Sequence, residues 1–385
     1  MKQKWTCKTL AEVGTIVGGS TPKTNVAEFW DGKNYWVTPA ELKGDKYINE
    51  TERTITDMAV KCTNLTLLPV GTVLLSSRAP IGKVCITRTP MYCNQGFKNI
   101  ICSEDLYNEY LYWWLKGKTA YLNSLGVGAT FKEISKRTVE HIEVPVPPKD
   151  EQERIVAELD LLTGVIEKLK AQLQEYDKLA QSIFYDMFGD PIENPKGWDV
   201  KELGKVCDVR DGTHDSPDYV EQGYPLVTSK NVVDGDISFD NVNYICQEDF
   251  DNISKRSYVD DGDIIMPMIG TIGKPVIVRK TREFAIKNVA LIKFKVDTEV
   301  VNLFVRAIMS SAAFDTYMKT KNKGGTQKFI ALGDIRKLCI PVPPLALQQS
   351  FADKIASIEK QKAAITQSIA ETQKLLDYTM DKYFG

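Results

Sequence analysis

Pro145-Val146-Pro147-Pro148 returns as Pro341-Val342-Pro343-Pro344, 196 residues later, and that recurrence constrains the fold of this 385-residue chain more than any other feature. Proline clusters recur by chance, but other markers hold the same interval. Gln152 returns as Gln348, Phe188-Gly189 as Phe384-Gly385, and Tyr121 and Thr130 as Tyr317 and Thr326. Trp5 returns as Trp198 after 193 residues, so a few residues were gained or lost between the markers. Self-similarity at a long fixed period marks a duplicated structural unit. A chain of this length also exceeds one ordinary core, which agrees with two domains and their connections.

Each copy has two parts of different character. The first part mixes strands, loops and short helices. Residues 70–77 and 259–266 each read as a glycine turn feeding a buried strand. Gly82-Lys83-Val84-Cys85-Ile86 and Gly273-Lys274-Pro275-Val276-Ile277 read as the strands that follow. Helices are expected near Leu106 to Leu115 and Val301 to Ala312. The proline segment then forces extended backbone and bars helix.

The second part of the first copy carries Ile155, Leu159, Leu162, Ile166, Leu169, Leu173, Tyr176, Ala180, Ile183 and Met187, spaced alternately by four and three. Such a seam is the pattern of a coiled coil, since a helix local to one small domain has no core long enough to cover it. The second copy places Phe351, Ile355, Ile358, Ile365, Ile369, Leu376 and Tyr383 on the matching seam, interrupted by Lys362, Thr372 and Thr379. Asp150 is the expected N-cap of the first helix. Each helix should be on the order of 50 Å long.

The order is therefore domain, helix, domain, helix, with expected bounds 1–148, 149–189, 190–344 and 345–385. The fold class is α/β (α+β) with an internal pseudo-two-fold. The first helix must run toward the second domain and the second helix most simply runs back. The pair is then an antiparallel two-helix coiled coil holding two unlike domains in inverted orientation. A pseudo-symmetric pair of domains suits duplex DNA, whose backbone has its own two-fold and whose half-sites lie about one turn apart.

On these residues the chain resembles the specificity subunit of Type I restriction-modification systems. The resemblance rests on Val144-Pro-Val-Pro-Pro-Lys-Asp-Glu-Gln-Glu-Arg-Ile-Val and Ile340-Pro-Val-Pro-Pro-Leu-Ala-Leu-Gln-Gln. It also rests on the openings Gly18-Gly19-Ser20-Thr21-Pro22 and Asp211-Gly212-Thr213-His214, and it spans essentially the whole chain. The second helix departs from the first by starting without acidic residues. The resemblance implies two target-recognition domains, a bipartite asymmetric double-stranded DNA target, and docking of two modification subunits that methylate adenine with S-adenosylmethionine. A restriction subunit with ATP-driven, magnesium-dependent translocation is a further implied partner. It implies no catalysis and no cofactor in this chain; the scattered cysteines point to a reducing, cytoplasmic location.

The composition sets limits on that reading. A formal net charge of −2 means that any DNA-binding surface is local, with acidic residues balancing it elsewhere. The eight cysteines show no Cys-x-x-Cys, and with His141 and His214 the only histidines, neither a zinc site nor a disulfide framework is expected. No apolar run is long enough to span a bilayer. No Asn/Asp-Pro-Pro-aromatic tetrad, Gly-x-Gly-x-x-Gly or Walker loop is present. That argues against a self-sufficient methyltransferase or nuclease, while the two elaborate domains argue against a bare coiled-coil scaffold.

DNA contacts are expected where donors cluster beside glycine. Lys319, Lys321, Lys323 and Lys328 surround Gly324-Gly325-Thr326-Gln327, where lysine neutralises phosphate and Gln327 can read an adenine edge. The first-copy counterpart carries Thr130, Lys132, Lys136 and Arg137. Arg78 and Lys83 flank another glycine turn, with Arg78 suited to a bidentate guanine contact. Thr213 and His214 are candidates on the second opening motif, with a plain surface turn as the alternative. Tyr112, Trp113 and Trp114 are expected in the core rather than as a base-stacking platform.

Overall fold

The computed structural model describes residues 5–63, 65–128, 132–233, 235–268, 275–321 and 330–385. It divides into two compact units, Met1–Lys170 with Gln367–Gly385, and Ala171–Thr366. Both long helices cross from one unit to the other, so each unit contains a domain and part of each helix.

The two domains repeat one strand order. In the first, a sheet runs Gly14–Gly18, Lys98–Cys102, Val73–Leu75, Val84–Thr87 and Tyr47–Ile48. In the second, Asp208–Asp211, Val289–Lys293, Ile264–Pro267 and Val276–Ile277 stand in the same sequence. A smaller sheet accompanies each: Thr54–Ile55, Trp30–Val37 and Tyr92–Cys93, matched by Asn243–Ile245, Tyr224–Val227 and Ala285–Ile286. A two-stranded ladder then closes each domain. Cys7–Thr9 pairs with Glu143–Pro145, and Val200–Glu202 with Cys339–Pro341. Entry and exit of the chain are thereby tied together at the proline segment.

Burial explains why these short strands hold. Val73, Leu74 and Leu75, and likewise Ile264, Ile265 and Met266, are fully buried, so their sheets are covered on both faces. In the first unit the helix Asn108–Gly117 buries every residue from Tyr110 to Leu115, including Tyr112, Trp113 and Trp114. A helix apolar all round is enclosed on all sides. Here Ile155, Leu159 and Phe384 of the long helices join the same cluster as the sheet. In the second unit, Phe188 lies against Phe304 and Phe351 at ring-centroid distances of 4.7 and 5.4 Å.

The long helices span Lys149–Phe188 and Leu345–Phe384. In the first unit, Arg154 and Glu158 near the start of one helix reach the Tyr383 hydroxyl at the end of the other, at 3.2 and 2.7 Å. In the second unit, Lys362 reaches Asp177 at 2.7 Å, and Phe351 meets Phe184 and Phe188. Each unit taken alone therefore pairs its helix segments antiparallel. Ile155, Leu159 and Ile166 are buried and Leu162, Leu169 and Leu173 half-buried; in the second helix Phe351, Ile355, Ile358 and Ile365 are buried and Ile369 and Leu376 half-buried. The polar interruptions are accommodated. Lys362 takes its ion pair, Thr372 returns its hydroxyl to the Ser368 carbonyl at 2.7 Å, and Thr379 is buried.

One expectation needs correction. Asp150 lies inside the first turn, and Pro148 is the residue whose carbonyl accepts from Glu151 and Gln152, both at 3.0 Å. Proline's fixed φ lets the helix start two residues earlier, at Lys149. Asp150 still sits favourably near the positive end of the helix dipole.

The marker residues Gln152 and Gln348 have a shared physical task. Each is wholly buried. Gln152 accepts from the Tyr107 N–H at 2.7 Å and donates to the carbonyls of Asp105 and Pro147 at 2.8 and 2.9 Å. Gln348 repeats this with Val301, Glu299 and Pro343 at 2.9, 2.9 and 2.8 Å. One amide thus ties the loop at 105–107, or at 299–301, to the proline segment at the base of each domain.

Candidate nucleic-acid interface

The opening loops of the two domains occupy the same place on the same scaffold. Val37 and Cys93 pair in parallel, as do Val227 and Ile286. Across the end of each pair runs the opening loop. Ser20 N–H donates to the Cys93 carbonyl and Thr213 N–H to the Ile286 carbonyl, both at 3.0 Å. Gly19 and Gly212 permit this crossing, because a Cβ at either would collide with the carbonyl oxygen of Cys93 or Ile286.

The scaffold is shared but the side chains it carries are not. In the first domain the Thr21 hydroxyl bonds to Gln95. In the second, His214 and Asn288 hold those places, with Nδ1 2.9 Å from the Asn288 amide oxygen. His214 Nε2 also lies 2.9 Å from one oxygen of Asp211, whose other oxygen accepts from Arg256. Thr213 is half-buried, its hydroxyl accepting from the Asp215 N–H at 3.1 Å.

An imidazole with acceptors at both ring nitrogens can satisfy them only when protonated. The hydrogen bonds to Asn288 and Asp211 accordingly raise the His214 pKa above its ordinary 6.5, against a small opposing effect of burial. The folded protein holds this proton more tightly than the unfolded chain. The resulting stabilisation is complete below the unfolded pKa and is lost as pH rises through the folded value. His214→Gln should therefore lower the thermal midpoint of the second domain more at about pH 5.5 than at about pH 8.5. Equal losses at both pH values would show a neutral ring.

In the first domain the candidates separate into two groups. Arg78 bonds to Glu133 at 2.9 Å, and Lys98 reaches the other carboxylate oxygen at 3.2 Å. Burial works to raise the Glu133 pKa, but the bonds to Arg78 and Lys98 outweigh it and hold the carboxyl low. Glu133 pairs with Val127 in an isolated antiparallel bridge, and exposed Lys132 precedes it in sequence. Lys136 begins the helix Lys136–Glu140 and lies 3.8 Å from Glu140. Lys83 is turned elsewhere, its ammonium donating to the Pro39 carbonyl at 3.1 Å.

In the second domain Lys319 is exposed on the helix Ala312–Lys321, which Lys321 ends. Thr130, Lys323, Thr326, Gln327 and Lys328 lie outside the described residues, as do Gly273 and Lys274. Lys98, Glu133, Asp211, Asn288 and Arg256 were not singled out from sequence as contact residues. Asp211 opened the motif that ends at His214, and Glu133 stood beside Lys132; Lys98, Asn288 and Arg256 are brought in by the tertiary fold from distant segments.

A family model described as Type I restriction modification DNA specificity domain matches twice, over residues 2–175 and 195–374. The chain is 31% identical to the Type I restriction enzyme MjaIX specificity subunit of Methanocaldococcus jannaschii, covering 98% of this chain and 92% of that one. It is 23% identical to the EcoBI specificity subunit of Escherichia coli, over 77% of this chain and 69% of the relative. In fold it is similar to the S subunit of a Type I restriction-modification system from M. genitalium, with a TM-score of 0.58 at 16% identity, covering 99% and 96% of the two chains. A chain from a structure of type I R-M complex assembly superimposes with a TM-score of 0.61 at 17% identity, over 99% of this chain and 97% of that one.

Proposed function

The chain belongs to the Type I restriction-modification DNA specificity family, and from that premise we propose how its parts divide the work of a non-catalytic DNA-recognition subunit. Each domain reads one half of a bipartite target, and the two halves differ in sequence. The helix pair sets the interval between them and docks two modification subunits in the cytoplasm. S-adenosylmethionine belongs to those partners, which also extrude the target adenine. ATP and magnesium belong to a restriction subunit where one joins.

The observation that carries this reading is a common scaffold with unlike tips. The same glycine crossing presents Thr21 and Gln95 in one domain, and His214 and Asn288 in the other. Shared framework with varied donors is what two readers of different sequences require, because donor and acceptor patterns distinguish base pairs. Exposed apolar side chains on the helices outside the seam, Leu161 and Tyr378 among them, support the docking role.

The decisive experiment is to express the chain with its modification subunit and map methylated adenines on random-sequence DNA. The expected result is two unlike half-sites separated by a constant spacer. Methylation without a bipartite consensus would defeat this reading. S-adenosylmethionine binding by the chain alone would favour a self-sufficient methyltransferase instead.

A further inference from the structure

We propose that Arg256 reads a guanine in the half-site of the second domain, with Asp211 as the positioning residue that aims it. The proposal rests on the DNA-reading function above and names one contact within it.

The geometry is that of an anchored reader. The Asp211 carboxylate is only 10% exposed, whereas the Arg256 side chain is 66% exposed. Asp211 spends one oxygen on an amino group of Arg256 and offers the other to His214. The backbone beneath the arginine is fixed as well. Arg210 donates to the Arg256 carbonyl at 2.8 Å, and the Ser257 hydroxyl donates to the Asp211 carbonyl at 2.6 Å. A free surface arginine gives up rotamer freedom when it binds, but this one has surrendered much of it already. What remains open is the guanidinium's other amino edge, and a planar fork of N–H donors matches the O6 and N7 acceptors of guanine.

The surroundings favour a base over a phosphate. Arg256 and His214 stand at a cleft of about 540 Å³ whose walls also carry Asp215, Asp249 and Asn252. A phosphodiester entering there would meet Asp215 and Asp249 in addition to Asp211. The guanine edge is uncharged, and the paired cytosine offers an amino group that a carboxylate can accept. Three carboxylates outnumber the two cations, Arg256 and protonated His214, so the cleft disfavours a phosphate yet tolerates a G·C pair.

The first domain lacks this device. Gly18 stands where the second domain has Asp211, and Thr21 where it has His214, as the matched crossings at Gly19 and Gly212 show. The effect of Arg256 must then be confined to one half-site.

The test uses the complete complex with its modification subunit and a library in which every half-site position carries each base. Arg256→Gln is expected to lower the preference for guanine by about 5- to 150-fold at a single position of one half-site. The other half-site should be unaltered. Arg256→Lys should not restore the preference, because an ammonium lacks the fork. Asp211→Asn should give a smaller loss at the same position, as the aim of the arginine is relaxed. An unchanged guanine preference in Arg256→Gln overturns the assignment, and so does an equal drop at all positions. A wild-type complex with no bipartite consensus overturns both this assignment and the specificity reading on which it rests.

Discussion

Replacing Gln348 with alanine is expected to destabilise the second unit by on the order of 3 kcal/mol. Its amide satisfies the Val301 N–H and the carbonyls of Glu299 and Pro343, all through a side chain that water does not reach. A typical hydrogen bond contributes about 1 kcal/mol net, but a buried group left without any partner costs roughly 1–3 kcal/mol. Three groups lose their partner at once, and partial relaxation toward water keeps the sum near the lower bound. The midpoint of thermal unfolding should fall by roughly 6–12 °C. Gln349→Ala serves as the control. That neighbour is exposed and, among the described residues, its side chain bonds to Asp353 on the next turn, at 3.1 Å, so its loss should stay within about 0.5 kcal/mol. Equal effects of the two substitutions would show that the clip does not hold the domain base. Gln152→Ala should act on the first unit in the same way, since it makes the corresponding three bonds.

The second large effect concerns target spacing. Seven residues inserted between Lys170 and Ala171, with seven more between Thr366 and Gln367, should lengthen the recognised spacer by roughly three base pairs. A heptad adds about 10.5 Å of helix, against 3.4 Å per base pair along the DNA axis. Those positions are where the two units divide, so the helix contacts internal to each unit stay on their own side of the insertion. Whole heptads also return the seam to nearly the same face, with a drift of about 20°. Methylation mapping of the altered complex should recover both half-sites unchanged and farther apart. An unaltered spacer, or altered half-sites, would contradict the division between readers and ruler.

Much of the architecture was legible because it is periodic or local. The proline segment, the recurring Gln152 and Gln348, and the four-three spacing from Ile155 to Met187 are properties of the chain read in order. Backbone chemistry converts each into structure directly: proline ends the domain, and the apolar seam defines which helix face is covered. Even so, Gln152 and Gln348 stood out only as markers of duplication. That each amide bonds three backbone groups on two segments follows from chain crossings that no local pattern encodes. Asp150 shows a smaller failure, where cap preference lost to the earlier helix start allowed by Pro148.

The candidate interface was less legible for the same reason. Lysines and glycines announce exposed loops, but not where their side chains are used. Lys83 donates inward to Pro39, and Arg78 is held by Glu133 across 55 residues of sequence. Arg256 lies 45 residues from Asp211, in the last turn of a helix with no motif around it. By itself the sequence determined that there are two homologous readers, that each ends in a long seam-bearing helix, and that their tips differ. Only the tertiary structure decided which donors stand together at a tip. Pairing between strands of two to eight residues brings distant segments into register, and most of these strands are too short to carry a periodic signal of their partner.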